Sequence, residues 1–279
     1  MRIEELLQEG KEKLLKNNIE DSFLIARVLL QFILKIDRLE IIENQKKEID
    51  EKYYIEYMEK IEKIIQGVPL QYITNKQEFY GLEFYVDENV LIPQPDTEIL
   101  VEEVIRLANK KDKIKVLDIC TGSGCIGISL AYKLEDVHIT MSDISEKALE
   151  IAEINSKNNG VNNKIHFIQS DMFEKIEGKY DIIVSNPPYI ETETIKTLSK
   201  QVQNEPYIAL DGKEDGLFFY SILLKEAPNY LKENGYLCME IGYNQKEKII
   251  KLAQEIGKFS KIEAKKDLSG NDRVIICYI

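Results

Sequence analysis

The 279-residue sequence lacks a long apolar segment and a leader-like N-terminus. Its longest apolar stretch, residues 23–34, is interrupted by Arg27 and Gln31 and is too short to cross a bilayer. The first residues are charged and contain no apolar core of the kind that signal peptides have. These absences predict a cytoplasmic protein that does not enter a membrane.

Metal-binding patterns are also missing. The chain has four cysteines, none of them in a C-x-x-C pair, and two histidines that stand apart from one another. Zinc and iron sites require several such ligands at close spacing, so we predict no metal site. Unpaired thiols are typical of a reducing compartment.

The sequence has fewer basic than acidic residues. Lysine and arginine total 37 against 49 acidic residues, which gives a net charge of −12. Nucleic-acid surfaces depend on clustered Lys and Arg, so the balance argues against stable nucleic-acid binding, although a small basic patch would be compatible with it. The apolar content of 44% and charged content of 31% fit a globular enzyme.

The chain divides into two predicted domains. Residues 1–72 repeat apolar side chains at helical spacing until Gly67 and Pro69 interrupt the pattern, which predicts a small helical bundle. Its charged faces fit either ordinary solvated surface or a substrate-docking module. Residues 73–279 form the second predicted domain. Aromatic and β-branched residues around Gly81 and around 87–89 predict a linking hairpin within residues 75–95.

From residue 113 onward, strand and helix patterns alternate. Strands are predicted at 115–119, 138–142, 164–169, 181–185 and 236–241, with helices between them, which indicates a doubly wound parallel sheet. The last two predicted strands, 261–265 and 274–279, are joined by a loop too short for a crossover, so they are expected to be antiparallel. The predicted fold is α/β: a seven-stranded Rossmann-like sheet with its last strand antiparallel.

A glycine pattern follows the first of these strands. Gly122, Gly124 and Gly127 satisfy G-x-G-x-x-G where a strand leads into a helix, and Asp143 ends the next strand 19 residues beyond Gly124. Glycines let the backbone approach a ligand, and the aspartate can bind ribose hydroxyls. This pattern by itself fits NAD and S-adenosylmethionine equally well.

Two further strand ends favour S-adenosylmethionine. Asp118 precedes the glycines, where a carboxylate would meet a cationic group and would repel a pyrophosphate. Asp171 and Met172 follow the third strand, where they suit the amino group and ring of an adenine. For each aspartate taken alone, the other interpretation is a helix cap or a solvated loop residue.

The sequence Asn186-Pro187-Pro188-Tyr189 follows the fourth predicted strand. Consecutive prolines end both ladders and helices, so the segment forms a stiff platform at the strand end. It offers an amide side chain, prolyl carbonyls and an aromatic face, which together suit a planar group bearing an NH₂. A simple turn that ends a core strand is the other interpretation.

The stretches DICTGSG, SDIS, SDMF and VSNPPYI resemble class I S-adenosylmethionine-dependent methyltransferases that modify planar NH₂ groups. GVPLQYI, EFYGLEFYVDENVLIPQPDTEILVE, NEPYIALDGKEDGL and DLSGNDRVI are similar more narrowly to bacterial release factor glutamine methyltransferases. The resemblance runs from about Gly67 to the C-terminus and more loosely through the N-terminal helices. The family usually has glycine at Cys120 and arginine at Gln94, so this chain departs from its pattern twice.

That resemblance implies a substrate and a set of site residues. The substrate would be the glutamine of the Gly-Gly-Gln motif in class one peptide chain release factors, methylated on its side-chain nitrogen, and the N-terminal helices would dock that partner. Asn186, Pro187, Pro188 and Tyr189 would be catalytic, with no general base assigned. The implied cofactor contacts are Asp118, Cys120, Thr121, Gly122, Ser123, Gly124, Asp143, Ile144, Asp171, Met172 and Asn186.

Three other functions remain open from sequence. A glutamine methyltransferase of a ribosomal protein would share the tetrapeptide and the fold. An amino-methyltransferase of DNA or RNA bases would need a basic track beside its pocket, which the net charge disfavours. A non-catalytic scaffold would be expected to have a damaged cofactor loop, whereas the glycines here are intact.

Overall fold

The computed structural model describes residues 1–109 and 112–279. Its contacts separate the chain into two units. One contains Met1–Asn75 together with Ser199–Asn204, and the other contains Lys76–Leu198 together with Glu205–Ile279. The boundary near residue 75 lies three residues beyond the predicted one, and the return of residues 199–204 to the helical unit was not predicted.

The α-helices of the described residues, in chain order, are α1 Ile3–Lys16, α2 Ser22–Leu34, α3 Arg38–Glu43, α4 Glu51–Ile65, α5 Leu70–Thr74, α6 Glu98–Ala108, α7 Cys125–Lys133, α8 Glu146–Asn158, α9 Thr192–Ile195, α10 Lys200–Gln203, α11 Tyr207–Leu210, α12 Phe218–Tyr230 and α13 Lys246–Ile256. The strands are β1 Gln77–Phe79, β2 Leu82–Phe84, β3 Ile114–Ile119, β4 Val137–Asp143, β5 Ile165–Gln169, β6 Tyr180–Ser185, β7 Leu231–Glu240, β8 Lys261–Lys266 and β9 Asp272–Tyr278.

The helical unit is built around one apolar core. Tyr57 of α4 is fully buried there, and its hydroxyl donates a hydrogen bond to the carbonyl of Ala26 at 3.1 Å. Gly10 of α1 faces the same ring, because a Cβ at this position would come within 2.6 Å of Tyr57 Cε1. Glycine at position 10 is therefore what allows α1 to pack against this tyrosine.

The short helix α10 belongs to the helical unit although it comes late in the chain. Asn204 Nδ2 donates to the carbonyl of Gly67 at 3.1 Å, and a Cβ on Gly67 would lie 2.6 Å from Lys200 Cβ. Gly67 also has φ +99°, which a residue with a side chain rarely adopts. Gly67, which ends the predicted helical pattern, therefore allows α10 to pack closely against it, although α10 comes more than 130 residues later in the chain.

The described residues of the second unit form a seven-stranded sheet in the order β5-β4-β3-β6-β7-β9-β8. Neighbouring strands from β5 to β7 are parallel, while β9 is antiparallel to both β7 and β8. The predicted seven-stranded sheet with one antiparallel strand is confirmed. Every residue of β6 is buried, as expected for a central strand covered by helices on both faces.

The linking hairpin is shorter than predicted. β1 and β2 turn at Tyr80 and Gly81, which have φ values of +53° and +74° and so form the kind of two-residue turn that hairpins favour. At the second predicted turn, Asp87 Oδ1 instead accepts from the backbone N–H of Asn89, and no strand follows. The helices α9 to α11 were also missed, because single turns are too short to produce a periodic pattern.

Across the described ranges, no helix is long and apolar enough to cross a membrane.

We expect Gly10→Ala to destabilise the helical unit by about 1–3 kcal/mol, because the new methyl group overlaps the buried Tyr57 ring. Urea unfolding followed by hydrogen exchange in α1 and α4 would measure this loss. Glu12→Ala, at an exposed position of the same helix, is the control and should change stability little. A Gly10→Ala protein more stable than wild type would contradict the packing described here, since alanine is otherwise the better helix former.

Candidate active site

The carboxyl ends of β3 and β6 lie side by side where the strand order reverses. Ile119 pairs with Ser185, and the Ser185 hydroxyl donates to the carbonyl of Ile119 at 2.7 Å. Cys120 and Asn186, which follow these two residues, therefore leave the sheet at adjacent positions. Open α/β sheets bind ligands at this kind of switch point.

A cavity of about 280 Å³ lies at this edge of the sheet. Its wall contains many of the predicted site residues: Cys120, Gly122, Asp143, Ile144, Asp171, Met172, Asn186 and Pro188. The other predicted residues do not contribute to the wall: Asp118, Thr121, Ser123, Gly124, Pro187 and Tyr189. The structure thus brings residues from four strand ends to one cavity.

Residues 89–91, which lie in the predicted linking hairpin segment, line the cavity. Ser145 and Ala148 at the start of α8 also line it and were not predicted, and the same holds for six residues of a later segment: Pro206, Ile208, Ala209, Lys213, Phe218 and Phe219. The later segment includes NEPYIALDGKEDGL, which the sequence marked only as a family resemblance. Its apolar residues carried no chemical signal that would have assigned them to a site.

A wider groove of about 820 Å³ borders the same region. It shares Lys213 and Phe218 with the cavity, and it is otherwise lined by residues of α12, α13 and the segment before α12, including Lys248 and Lys251. None of its lining residues lies directly after the carboxyl end of one of the parallel strands. The cavity at the strand ends is therefore the candidate active site.

The loop after β3 is held by a carboxylate beneath it. Asp118 is fully buried, and its Oδ2 accepts from the Thr121 hydroxyl at 2.6 Å and from the Gly127 backbone N–H at 3.0 Å. Burial raises the pKa of Asp118 to about 7, against the opposing effect of these donors. Its other oxygen has no hydrogen-bond partner among the described residues. We propose that Asp118 acts on a ligand through the loop that it holds.

The backbone of this loop is left-handed at three positions. Cys120, Gly122 and Gly124 have φ values of +59°, +54° and +84°. A Cβ on Gly122 would meet none of the described atoms within 4 Å, so space is open there, whereas one on Gly124 would lie 2.8 Å from Met141 Cε. The positive φ of Cys120 gives a physical reason why the family usually has glycine at this position.

Asp143 joins the glycine loop to the helix after β4. Its Oδ2 accepts from the Gly122 N–H and its Oδ1 accepts from the Ser145 N–H, both at 2.9 Å. Burial raises the pKa of Asp143, and these backbone donors oppose that shift. An ionised carboxylate has about four lone-pair sites, so two remain for ligand hydroxyls.

Asp171 and Met172 reach the cavity from the end of β5. Asp171 is exposed, while Met172 is buried with φ +44°. The Met172 sulfur lies 3.9 Å from the Cys120 sulfur, so two soft side chains meet beside the switch point. A polarisable apolar surface next to a carboxylate suits a flat nitrogenous ring.

These hydrogen-bond acceptors and the open space beside the loop fit S-adenosylmethionine. The open space at Gly122 would admit the cofactor beside the loop, Asp143 would hold its ribose, and Asp171 and Met172 would hold its adenine. The carboxylates suit a cationic ligand that carries no phosphate.

Asn186 is half-buried, and its side-chain amide nitrogen donates to the Thr97 hydroxyl oxygen at 3.4 Å. Thr97 is almost fully buried at the start of α6. Pro188 lines the cavity beside Asn186, while Pro187 is buried. The tetrapeptide thus places one amide side chain and one proline ring in the cavity wall.

The segment after Tyr189 is held by the NEPYIALDGKEDGL stretch. Ile190 N–H donates to the carbonyl of Leu210 at 3.0 Å, and Gly212 N–H donates to the carbonyl of Ile190 at 2.8 Å. A Cβ on Gly212 would come within 2.7 Å of Tyr189 Cα. Because Gly212 has no side chain, its backbone can lie against the backbone of Tyr189 and support the tetrapeptide there.

Tyr189 is held at both ends by residues at and after the end of β7. Its hydroxyl donates to Glu240 Oε1 at 3.2 Å, and its carbonyl accepts from Gln245 Nε2 at 2.9 Å. Burial and the nearby Glu240 raise the pKa of Tyr189, so it stays neutral. The sequence predicted that this ring packs on the substrate, and that contact stays a prediction.

Arg273 of β9 connects the DLSGNDRVI stretch to the segment before α6. Its Nη2 lies 2.9 Å from Asp96 Oδ2 and 3.0 Å from Asp267 Oδ2. Gln94, where the family usually has arginine, donates instead to the carbonyl of Ile92 at 3.1 Å. Asp96 therefore has a cationic partner, Arg273 of β9, even though position 94 carries no charge.

Two family models match this chain. That of the methyltransferase small domain matches residues 94–268, and that of the PrmC N-terminal domain matches residues 5–74. Together with the strand order and the cavity, the first match defines an S-adenosylmethionine-dependent methyltransferase of Rossmann-like fold.

Relatives narrow the class further. The chain is 39% identical to release factor glutamine methyltransferase of Clostridium acetobutylicum, over 99% of this chain and 98% of that protein. It is 40% identical to the Fusobacterium nucleatum protein of that name, over 98% of this chain and 77% of the relative. The Clostridium botulinum protein is 38% identical over 99% and 98% of the two chains. This chain belongs to the release factor glutamine methyltransferase family.

Solved structures of lower identity share the fold. A methyltransferase from Pyrococcus furiosus is 20% identical with a TM-score of 0.52, over 79% of this chain and 98% of that one. The hMettl16 catalytic domain, solved with a MAT2A 3′UTR hairpin, is 17% identical with a TM-score of 0.58, over 75% and 79% of the two chains. At these identities the likeness concerns the fold alone.

Glu205, which precedes the cavity-lining Pro206, is a buried carboxylic acid whose effect on stability can be tested. Its Oε2 accepts from the Ile92 N–H at 2.9 Å, and burial raises its pKa to about 7. Between pH 5 and 7 the unfolded chain has released this proton and the folded chain retains it. Rising pH therefore costs the folded state up to about 1.4 kcal/mol per unit through this group.

We expect Glu205→Gln to gain stability over wild type as the pH rises from 5 to 7, because glutamine keeps the acceptor and has no proton to lose. The gain should reach about 2 kcal/mol at pH 7. Urea unfolding at pH 5, 6 and 7 measures it, with the exposed Glu214→Gln as a control for the loss of one carboxylate. A constant difference between variant and wild type would contradict the raised pKa.

Proposed function

We propose that this protein transfers a methyl group from S-adenosylmethionine to the side-chain nitrogen of the glutamine in the Gly-Gly-Gln motif of class one release factors. The observation that carries the proposal is that Asn186 and Pro188 share one cavity wall with Gly122 and Asp143. A group held by the tetrapeptide would thus lie beside a cofactor held by the glycine loop. The names of the relatives support the choice of release factor.

The chemical problem is that an amide nitrogen is a weak nucleophile. Its lone pair is delocalised into the carbonyl, as the rotation barrier of about 18–20 kcal/mol for an amide bond reflects. The bound cofactor would supply an electrophilic methyl group on sulfur. The protein has to hold the nitrogen in line with that methyl group, and such positioning can lower a barrier by about 7–11 kcal/mol.

Asn186 Oδ1 and the carbonyl of Pro187 are the two acceptors that we assign to the substrate NH₂. Since the Asn186 nitrogen donates to Thr97, the amide oxygen is the atom left for a substrate donor. The new N–C bond forms as the S–C bond breaks, and the amide proton is lost to solvent during or after transfer. No general base is assigned.

The helical unit is the proposed docking module for the release factor. It exposes several large apolar side chains: Leu15, Phe23, Leu24, Leu39, Ile42 and Ile55. Exposed apolar side chains that lie together are typical of protein-binding surfaces, so the docking proposal requires these six to form one patch. Since the proposed partner acts in translation, we place the protein in the cytoplasm.

The substrate is tested with tritiated S-adenosylmethionine and three purified candidates: a class one release factor, a ribosomal protein and a structured RNA. We expect label on the release factor, and no label once its Gly-Gly-Gln glutamine is replaced by alanine. Label on the ribosomal protein or the RNA alone would overturn the proposed substrate.

Asn186→Ala should lower the rate of methyl transfer in a single turnover by about 10²–10³-fold, because one preorganised contact to the reacting group is lost. Affinity for S-adenosylmethionine should change much less. Asn162→Ala, on the surface after α8, is the matched control and should behave as wild type. Near-normal single-turnover transfer by Asn186→Ala would remove this residue from the mechanism.

Asp143→Ala should weaken cofactor binding by at least about tenfold, because hydrogen bonds to a charged group are among the stronger ones. Calorimetric titration measures the affinity, and a melting curve checks that the sheet is intact. Unchanged affinity in a folded variant would contradict the ribose assignment.

A further inference from the structure

The glycine loop after β3 is held to the neighbouring strand β4 through its N–H groups. The Gly122 N–H donates to Asp143 Oδ2 at 2.9 Å, and the Thr121 N–H donates to the carbonyl of Ser142 at 3.0 Å. A buried loop must satisfy its carbonyl oxygens as well as its N–H groups. The carbonyls of this loop therefore need donors from another part of the fold.

Asn155 of α8 donates to one of these carbonyls. Its Nδ2 lies 2.9 Å from the carbonyl oxygen of Ser123, which stands between the first two glycines of the loop. Ser123 is 2% exposed and Asn155 is fully buried, so water is not a ready substitute for this donor. Gly124 lets α8 approach, because a Cβ at this position would lie only 3.1 Å from the Cβ of Ala152, one turn before Asn155.

The same amide also holds the backbone of Tyr85, directly after β2. Asn155 Oδ1 accepts from the Tyr85 N–H at 2.7 Å, and Asn155 Nδ2 donates to the Tyr85 carbonyl at 3.0 Å. The orientation of the amide is unambiguous, because a backbone N–H can only donate and a carbonyl can only accept. One buried side chain therefore joins the glycine loop to a segment that precedes β3 in the chain.

Tyr85 leads into one wall of the cavity. Residues 89–91 line the cavity together with the glycine loop, while Tyr85 itself does not. The Tyr85 hydroxyl donates to Asp87 Oδ2 at 3.4 Å, and Asp87 Oδ1 accepts from the Asn89 N–H at 2.9 Å. The backbone that Asn155 holds is thus continuous with residues that would lie beside a bound cofactor.

We propose that Asn155 is a positioning residue of the cofactor site, and that it couples the glycine loop to the wall segment 85–91. A ligand that fixes the loop fixes the Ser123 carbonyl, and through the shared amide it holds the backbone of Tyr85. Bound S-adenosylmethionine should therefore stabilise the wall segment, and attachment of Tyr85 should strengthen cofactor binding by the same factor. The coupling holds whichever substrate accepts the methyl group.

Hydrogen exchange at the Tyr85 N–H tests the coupling in the wild-type protein. This group lies outside the cavity wall, so a ligand in the cavity does not shield it by direct contact. We expect saturating S-adenosylmethionine to slow its exchange by at least about fivefold, the lower end of coupling between two sites. The Tyr80 N–H of the same hairpin donates to Glu98 instead and should slow less. No slowing at Tyr85, or equal slowing at Tyr80, would overturn the proposal.

Asn155→Ala removes all three hydrogen bonds, and Asn155→Leu removes them while keeping a side chain of similar size. In both variants we expect the Kd for S-adenosylmethionine, measured by calorimetric titration, to rise by about five- to tenfold. The cofactor should no longer slow exchange at Tyr85. An asparagine with only a structural role would change the melting temperature of the free protein and leave the affinity of the folded state unaltered.

Asn159→Ala is the matched control. Asn159 follows α8 and its Nδ2 donates to the carbonyl of Glu83 in β2 at 3.0 Å, so it also ties this helix to the hairpin, but at a position away from the glycine loop. Its Kd should stay within about twofold of wild type. An equal loss of affinity in this control, or wild-type affinity in a folded Asn155→Ala protein, would contradict the proposed coupling. If neither Asn155 variant folds, exchange at Tyr85 in the wild-type protein decides alone.

Discussion

The pairing of β3 with β6 is the constraint on which the rest of the site depends. Four residues of each strand pair in register and end at Ile119 and Ser185. Since both strands run the same way, the glycine loop and the tetrapeptide start from one edge and face one cavity. A slip of one residue would turn the side chains of β6 to the opposite face of the sheet.

The prolines that stop β6 create a second requirement. Pro187 and Pro188 cannot donate to a ladder, so the chain beyond the strand has to be held by other groups. Gly212 provides a backbone hydrogen bond, while Gln245 and Glu240 bind the carbonyl and hydroxyl of Tyr189. The motifs that flank the tetrapeptide in sequence thus have a physical role in supporting it.

Sequence reasoning predicted the parts of the site whose signals are local. Asp143 ends a strand, and the glycine pattern and the tetrapeptide each follow one, so periodicity and turn chemistry were enough to place them at strand ends. It could not predict that Asn186 meets Thr97, 89 positions earlier, because the contact depends on how α6 packs beside β6. Nor could it show that Asp118 lies beneath the loop, since strand-end position does not fix side-chain depth.

Three carboxylates accept the hydrogen bonds that hold the site together. Asp118 accepts from the glycine loop, Asp143 accepts from that loop and from the start of α8, and Glu240 accepts from the tetrapeptide. Each is buried enough for its pKa to rise, so each opposes folding at neutral pH. The N–H and O–H donors that meet each carboxylate oppose this rise, so the hydrogen bonds that hold the glycine loop and the tetrapeptide also offset part of the cost of burying the acids.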